Sequence, residues 1–207
     1  VISKLAGDDL TGVLEIFKGL GIYSLVVFFG LATMVFLIYP LLMYLFTGKR
    51  YKNFFKSIAS AQMLAFSTSS SAATLPVTMD CVNNNLGVSK RVTGFVLPIG
   101  ATVNMDGTSL YQAVAVVFLA QMHMVDLDLA QQLTIVFTAT MASIGSAAVP
   151  SAGLIMLIIV LDAVGLNPAW ISIIFPVDRI LDMCRTVVNV TGDATVSSIV
   201  DQSEKNT

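Results

Sequence analysis

Charge is what this chain has least of. Lys, Arg, Asp and Glu make up 12% of its 207 residues, about half the usual globular share, so the solvated surface of a soluble domain is missing. Disorder is excluded too, because a disordered chain combines low hydrophobicity with high net charge. No basic excess exists: eleven Lys+Arg stand against thirteen Asp+Glu and the pI is near 5.2. Without a basic stripe, a nucleic-acid partner is not expected. Two cysteines, Cys81 and Cys184, fit neither a disulfide scaffold nor a clustered metal site. A single histidine, His123, with no Ser/His pairing, phosphate loop or metal spacing, argues against an enzyme, and no organic cofactor is expected. What abounds is apolar: 56% of residues, with mean hydropathy +0.83. The chain reads as an all-α membrane protein, and its few charges become landmarks.

Residues 1–18 carry Lys4, Asp8, Asp9, Glu15 and Lys18 and read as an extracellular connection. Residues 19–48 hold no charge and are long enough for a tilted transmembrane helix, since about 20 apolar residues cross a bilayer. Pro40 predicts a kink near its end. Lys49, Arg50, Lys52 and Lys56 then mark a cytoplasmic loop by the positive-inside rule. Residues 57–79 are uncharged, but Ser67–Ser71, Ala72, Ala73, Thr74 and Pro76 predict broken helix, with flanks half the length needed to cross. This is a re-entrant hairpin, which Lys90 and Arg91 return to the same side. Irregular backbone at such depth persists only against protein or a cavity.

A second helix is predicted over about 92–122, ending at the acidic residues Asp126 and Asp128. Residues 129–161 are again uncharged and again interrupted, by Ser143 to Gly153 with Pro150 between. They form a second re-entrant hairpin, leaving near Asp162 on the outer side. A last helix, about 169–200, returns to a cytoplasmic tail. The division is therefore 1–18, 19–48, 49–90 (first hairpin), 91–125, 126–166 (second hairpin) and 167–207. A Ser-rich interrupted hairpin followed by a helix bearing Asn and Asp occurs twice, over 57–122 and 129–200, with opposite orientation. Such inverted repeats point to the binding site of a secondary transporter.

Polar residues lie where a bilayer penalises them. Asn104, Asp106, Thr108 and Gln112 fall in the second helix; Asp178, Arg179, Asp182, Arg185, Thr186, Asn189 and Asp193 fall in the last. Asp178, Asp182, Arg185, Asn189 and Asp193 share one helix face, within an arc of roughly 80°, with Thr186 at its edge and Arg179 pointing elsewhere. An ionisable group inside a membrane faces a cavity or a partner. With Asp106, the stripe carries four carboxylates against one arginine, a net −3 that a low-dielectric interior does not tolerate. Either carboxylates hold protons or the site takes cations. Hard cations want oxygen ligands, which Thr102, Asn104, Asp106, Asn189, Asp193 and hairpin carbonyls supply. Arg185 suits a carboxylate, bidentately, and Asp182 an ammonium, a pairing that fits an acidic amino acid. Simple pairing of Asp182 with Arg185 at i,i+3 is the alternative. Cys184 reads as an apolar filler, His123 as an interfacial residue, and the Asn189-Val-Thr glycosylation signal as unused within a membrane helix.

Ser69-Ser-Ser, Thr74-Leu-Pro-Val-Thr, Gly100-Ala-Thr-Val-Asn-Met-Asp-Gly-Thr108, Ala142-Ser-Ile-Gly and Asp182-Met-Cys-Arg-Thr-Val-Val-Asn-Val-Thr-Gly-Asp193 resemble the sodium-coupled glutamate/aspartate transporter family, from about residue 20 onward. The resemblance implies a multi-pass cell-membrane symporter that takes up L-aspartate or L-glutamate with sodium by elevator-type alternating access. It also implies a homotrimer assembled through upstream helices, the present chain being the moving part. By position, Arg185 and Thr108 would hold the side-chain carboxylate and Asp182 the amino group. Asn189 and Ser71 would take the α-carboxylate, with Thr186 assisting, Ser70 also in the substrate site, and Val149, Pro150 and Gly153 at the gate. Sodium would lie near Gly100, Asn104, Asn189 and Asp193, a second ion near Asn104 and Asp106, and a third near Thr102, Ser143, Ile144 and Ser146. Departures are Ser69 and Met183, where relatives place an arginine at one or the other; Ala72, Ala148 and Ser151, often Ser, Gly and Gly; and Gln112, where animal transporters carry a glutamate linked to proton and potassium coupling. A neutral amide takes up no proton at physiological pH, which argues against potassium-driven return. A C4-dicarboxylate carrier of the same family ranks second and an ion channel third.

Overall fold

The computed structural model describes residues 10–48 and 51–205, and these are helical nearly throughout. The expectations for Lys4, Asp8, Asp9, Lys49 and Arg50 lie outside the described residues. Helix α1 (Leu10–Thr33) begins inside the stretch read as a connection, passes through a π-turn (Met34–Ile38) and continues as α2 (Tyr39–Thr47). Gly12–Thr47 is long and apolar enough to cross a membrane, with mean hydropathy 2.5. At 1.5 Å per residue, its 36 residues reach about 54 Å, well beyond a bilayer core of roughly 30 Å.

Pro40 sits in the first turn of α2, where its missing N–H costs little, and the irregularity precedes it as the π-turn. Tyr39 N–H bonds Met34 O across that turn. The buried stripe of this helix is Ile16, Leu20, Tyr23, Val27, Leu31, Val35, Tyr39 and Met43. Each step of four overshoots a full turn by about 40°. The wider π-turn absorbs part of that drift and keeps Tyr39 and Met43 facing inward.

Helices α3 (Tyr51–Ser57) and α4 (Ala59–Thr68) lead to a break at Ser69-Ser70, after which α5 (Ser71–Asp80) runs back along α4 and a π segment (Cys81–Asn85) continues to α3. The break falls at the serines rather than at Pro76, which stays inside α5. Ser69 is left-handed (φ 52°), and the Ser70 hydroxyl caps α5 by accepting from Ala73 N–H, the usual N-cap arrangement. Helix α6 (Lys90–Val103) and helix α7 (Asp106–Met122) replace the single helix expected over 92–122. Asn104-Met-Asp-Gly holds poor helix formers and cap formers in succession, and the chain restarts with Asp106 in the first turn of α7, where a carboxylate suits the helix dipole. Helices α8 (Leu129–Ile144) and α9 (Ala152–Ala163) pair through an irregular tip. Asp128 and Gln131 form a capping box at the start of α8. A 3-10 turn (Pro168–Ile173) precedes α10 (Phe175–Lys205), and Trp170 in that turn stacks on His123 at 3.5 Å.

Helix α10 is the axis of the molecule. It packs on α1, α2, α4, α5, α6 and α7, and residues 188–195 are buried on every face. One apolar cluster gathers α1, α7, α8, α9 and the start of α10. A second gathers α3, α4, α6 and Val190 and Ala194 of α10. The Gln62 amide donates to Thr191 Oγ1 at 2.9 Å, tying α4 to α10. Near the C-terminus Asp201 accepts from Ser89 N–H at 2.9 Å and pairs with Lys205. Burial raises this carboxyl, and the bonds from Lys205 and Ser89 outweigh it, leaving it below the usual carboxylate range.

Candidate functional site

The polar face of α10 meets three interruptions: both tips and the α6–α7 break. The tips touch each other. Ser70 Oγ donates to Ala148 O at 2.6 Å, and Ala72 N–H donates to the same carbonyl at 3.3 Å. The second tip is also pinned to helices. Ser151, left-handed at φ 61°, donates its N–H to Asp182 Oδ2 at 2.9 Å, and Gln112 Nε2 donates to Gly153 O at 2.9 Å. A β-carbon on Gly153 would lie 2.7 Å from Thr108 Cγ2, so only glycine lets α9 approach α7 this closely.

Between the tips lies a cavity of about 20 Å³, lined by Ser71, Thr108, Ser146, Val149, Gly153, Asp182, Thr186 and Asn189 of the expected residues. Ser69, Met105, Ala147 and Ala148 also line it. Room on this scale suits a water and not an amino acid, so the site is closed. Ser70 is spent on the tip-to-tip bond, Pro150 is exposed and Val149 is 53% exposed.

Arg185 lies beside this cavity, 1% exposed. Its Nη2 pairs with Asp182 Oδ1 at 2.6 Å and with Asp178 Oδ1 at 3.3 Å. The i,i+3 pairing is thus the arrangement present, and Asp182 owes its balance to Arg185. Tyr111 supports the guanidinium from one face, 3.7 Å from its ring centroid, a cation–π contact. Nε and Nη1 have no hydrogen-bond partner among the described residues, and a β-carbon on Gly153 would lie 3.8 Å from Nη1. Nη1 therefore faces the second tip. Arg179 is exposed, as its angular position predicts.

One and two turns further along α10 the chemistry changes. Asn189 Oδ1 accepts from Gly107 N–H at 2.8 Å and its Nδ2 donates to Thr108 Oγ1 at 3.2 Å, filling the α6–α7 break. Asn104 Nδ2 donates to Asp193 Oδ1 at 2.9 Å and to Asn189 O at 3.3 Å. Gly100 makes room for Asp193, since a β-carbon there would clash with Oδ1. Asp106 Oδ2 accepts from the Tyr39 hydroxyl at 3.0 Å. Among the described residues no salt bridge reaches Asp106 or Asp193, and no group of three or more His, Cys, Asp or Glu converges. Carboxylates, amides and main-chain carbonyls are the donor set of a hard cation rather than of a transition metal.

The third set of expected residues is not drawn together. Thr102 is exposed, because α6 stays helical through Val103 and the hydroxyl bonds Ile99 O at 3.1 Å. Ser143 Oγ bonds Thr140 O on its own helix, Ile144 is 40% exposed, and Ser146 joins the tip cavity instead. Residues that sequence reasoning passed over are Tyr39, Met105 and Tyr111. Each is a type that normally fills a core; Tyr39 directly before Pro40 was the one local signal.

A buried ionic stripe, packed against one helix long and apolar enough to cross a bilayer, is the pattern of a membrane protein with a polar site in its interior. The chain belongs to the Sodium:dicarboxylate symporter family, whose profile it matches over residues 2–203. It is 50% identical over 191 residues to Excitatory amino acid transporter 3 of Homo sapiens, covering 92% of this chain and 36% of that protein. It is 49% identical over 189 residues to Excitatory amino acid transporter 2 of Mus musculus (91% and 33%). The Excitatory amino acid transporter of Caenorhabditis elegans is 49% identical over 181 residues (87% and 36%). The chain thus spans about a third of the length of these relatives, whose names are those of transporters.

Proposed function

We propose that this chain is the substrate-carrying core of a secondary active symporter that couples the inward sodium gradient to uptake of acidic amino acids, L-aspartate or L-glutamate. The observation that carries the reading is Arg185: a buried guanidinium with two nitrogens unpartnered among the described residues, Nη1 of them beside a tip held by only a few polar contacts. Movement of that tip would free Nη1 and Nε for a substrate carboxylate and release Asp182 from Ser151 for an ammonium. Thr108, Thr186, Asn189, Ser70 and Ser71 stand around the same space. Sodium, as co-transported cargo, suits Asp193, Asn104, Asp106, Asn189 and Gly100, where two carboxylates have no basic partner among the described residues.

In this reading α4–α5 and α8–α9 are re-entrant hairpins of opposite orientation in an inverted repeat, with the second as the gate on the extracellular side. The chain is a multi-pass plasma- or inner-membrane segment with a cytoplasmic C-terminus, moving as an elevator within a homotrimer. A third ion near Thr102, Ser143, Ile144 and Ser146 would require those residues to rearrange as the gate moves. Gln112, bonded to the gate at Gly153 O, leaves no carboxylate for proton or potassium coupling at that position.

Uptake of labelled aspartate and glutamate by the full-length protein, with and without sodium, tests the proposal. Saturable, sodium-dependent uptake lost in Arg185→Ala is expected; uptake indifferent to both sodium and Arg185 overturns it. Stronger competition by succinate than by aspartate would favour the C4-dicarboxylate reading that the family's own description raises.

A further inference from the structure

The hydroxyl of Tyr39 is one donor facing two acceptors. It lies 3.0 Å from Asp106 Oδ2 and 3.3 Å from Val188 O, on a ring only 2% exposed. It occupies a notch that glycine creates: a β-carbon on Gly192 would lie 2.7 Å from this hydroxyl and 2.6 Å from Asn104 Nδ2. Two hydrogen donors, from α2 and from the α6–α7 break, therefore converge on four oxygens: Asp106 Oδ2, Val188 O, Asn189 O and Asp193 Oδ1. No lysine or arginine shares the cluster among the described residues. The π-turn ahead of Tyr39 is what keeps the ring on the inward face, and π-turns are often kept at functional sites.

Resting on the sodium coupling proposed above, we infer that the Tyr39 hydroxyl is a stand-in for the cation at Asp106 and thereby sets how much sodium the carrier needs. In the cation-free form its proton serves a carboxylate that has no basic partner among the described residues, with a helix carbonyl beside it. A sodium ion bound to those oxygens must turn that proton away. A bond made in only one of two states biases the equilibrium toward that state, so this one opposes sodium binding by its own strength. Asn104 differs, since rotation of its amide replaces a donor by an oxygen ligand. Tyr39 is thus a positioning residue for the ion site and has no contact with the tip cavity.

Tyr39→Phe removes one oxygen and keeps the ring. In full-length protein it is expected to lower the half-saturating sodium concentration for aspartate uptake about fivefold, the worth of one ordinary hydrogen bond. The half-saturating aspartate concentration at saturating sodium stays unchanged. Sodium titration of the thermal stability of the purified protein supplies a second readout, independent of transport, and Tyr39→Met moves both in the same direction. An unchanged sodium requirement overturns the inference. So does a raised one, which would make the hydroxyl a ligand of the bound ion. If wild-type uptake ignores sodium, the symporter reading falls first, and that result is distinct from either outcome for Tyr39→Phe.

Discussion

The two ends of the α10 polar stripe solve the same electrostatic problem in different ways. At the Asp178–Arg185 end, two carboxylates share one guanidinium, so half of the negative charge is offset from within. At the Asn189–Asp193 end, the side-chain donors that Asp106 and Asp193 meet among the described residues are a hydroxyl and an amide. Buried charge without a partner is costly, so the second end calls for a cation that none of the described residues supplies, whereas the first already holds one with donors to spare. The difference assigns an anionic partner to the end with spare donors and a cation to the end with spare acceptors.

The largest effect expected comes from breaking the Arg185 end. Arg185→Ala leaves Asp178 and Asp182 facing each other without a cation, a loss of about 3–5 kcal/mol for a buried pair. Uptake of acidic amino acid should fall more than about 100-fold at equal surface expression. Sodium-dependent thermal stabilisation of the purified protein should persist, because the other end is untouched. Arg185→Lys should not restore uptake, since an ammonium cannot reproduce the planar fork over Tyr111. Loss of sodium binding along with uptake would erase the distinction between the ends.

Next in size is Asp193→Asn, which keeps shape but removes half of the uncompensated charge. The half-saturating sodium concentration should rise about tenfold or more, as for loss of a charged partner, with aspartate still preferred over neutral amino acids. Gly153→Ala acts on the Arg185 end alone. Its methyl would press on Thr108 Cγ2, and overpacking of this kind costs about 1–3 kcal/mol. The half-saturating aspartate concentration should rise about tenfold while that of sodium changes little.

Much of this contrast was legible in the sequence, because it rests on charge and period. Asp178, Asp182, Arg185, Asn189 and Asp193 recur at helical spacing in a stretch with almost no other reason to be polar. The serine-rich interruptions likewise announced where helix would fail. The α6–α7 break was not read, although Asn104, Asp106 and Gly107 within four residues were its signal; the apolar sequence on both sides spoke for continuity. Tyr39, Met105 and Tyr111 were hidden for a different reason. Aromatic and thioether side chains fill cores everywhere, and only the packing of α2 and α7 against α10 shows which of them meet charge. Whether Asp182 and Arg185 pair or stand apart also depends on tip position, which no spacing encodes.

The smallest effect sharpens the comparison most finely. Ser151 adopts a left-handed conformation (φ 61°) while its N–H reaches Asp182. A residue with a β-carbon gives up about 1–2 kcal/mol there, and glycine does not. Ser151→Gly should therefore favour the closed tip, but glycine also gains freedom whenever the tip lifts, which returns about 0.4–1 kcal/mol. The remainder centres on about 0.8 kcal/mol, and because the closed tip leaves no room for substrate, the half-saturating aspartate concentration should rise about fourfold. Half-saturating sodium, read in the same cells, should not move, because no contact of Ser151 reaches Asp106 or Asp193. A matching shift in both would mean that the tip governs the two ends as one unit, and that the internal pairing at Arg185 is not separable from the cation that Asp193 requires.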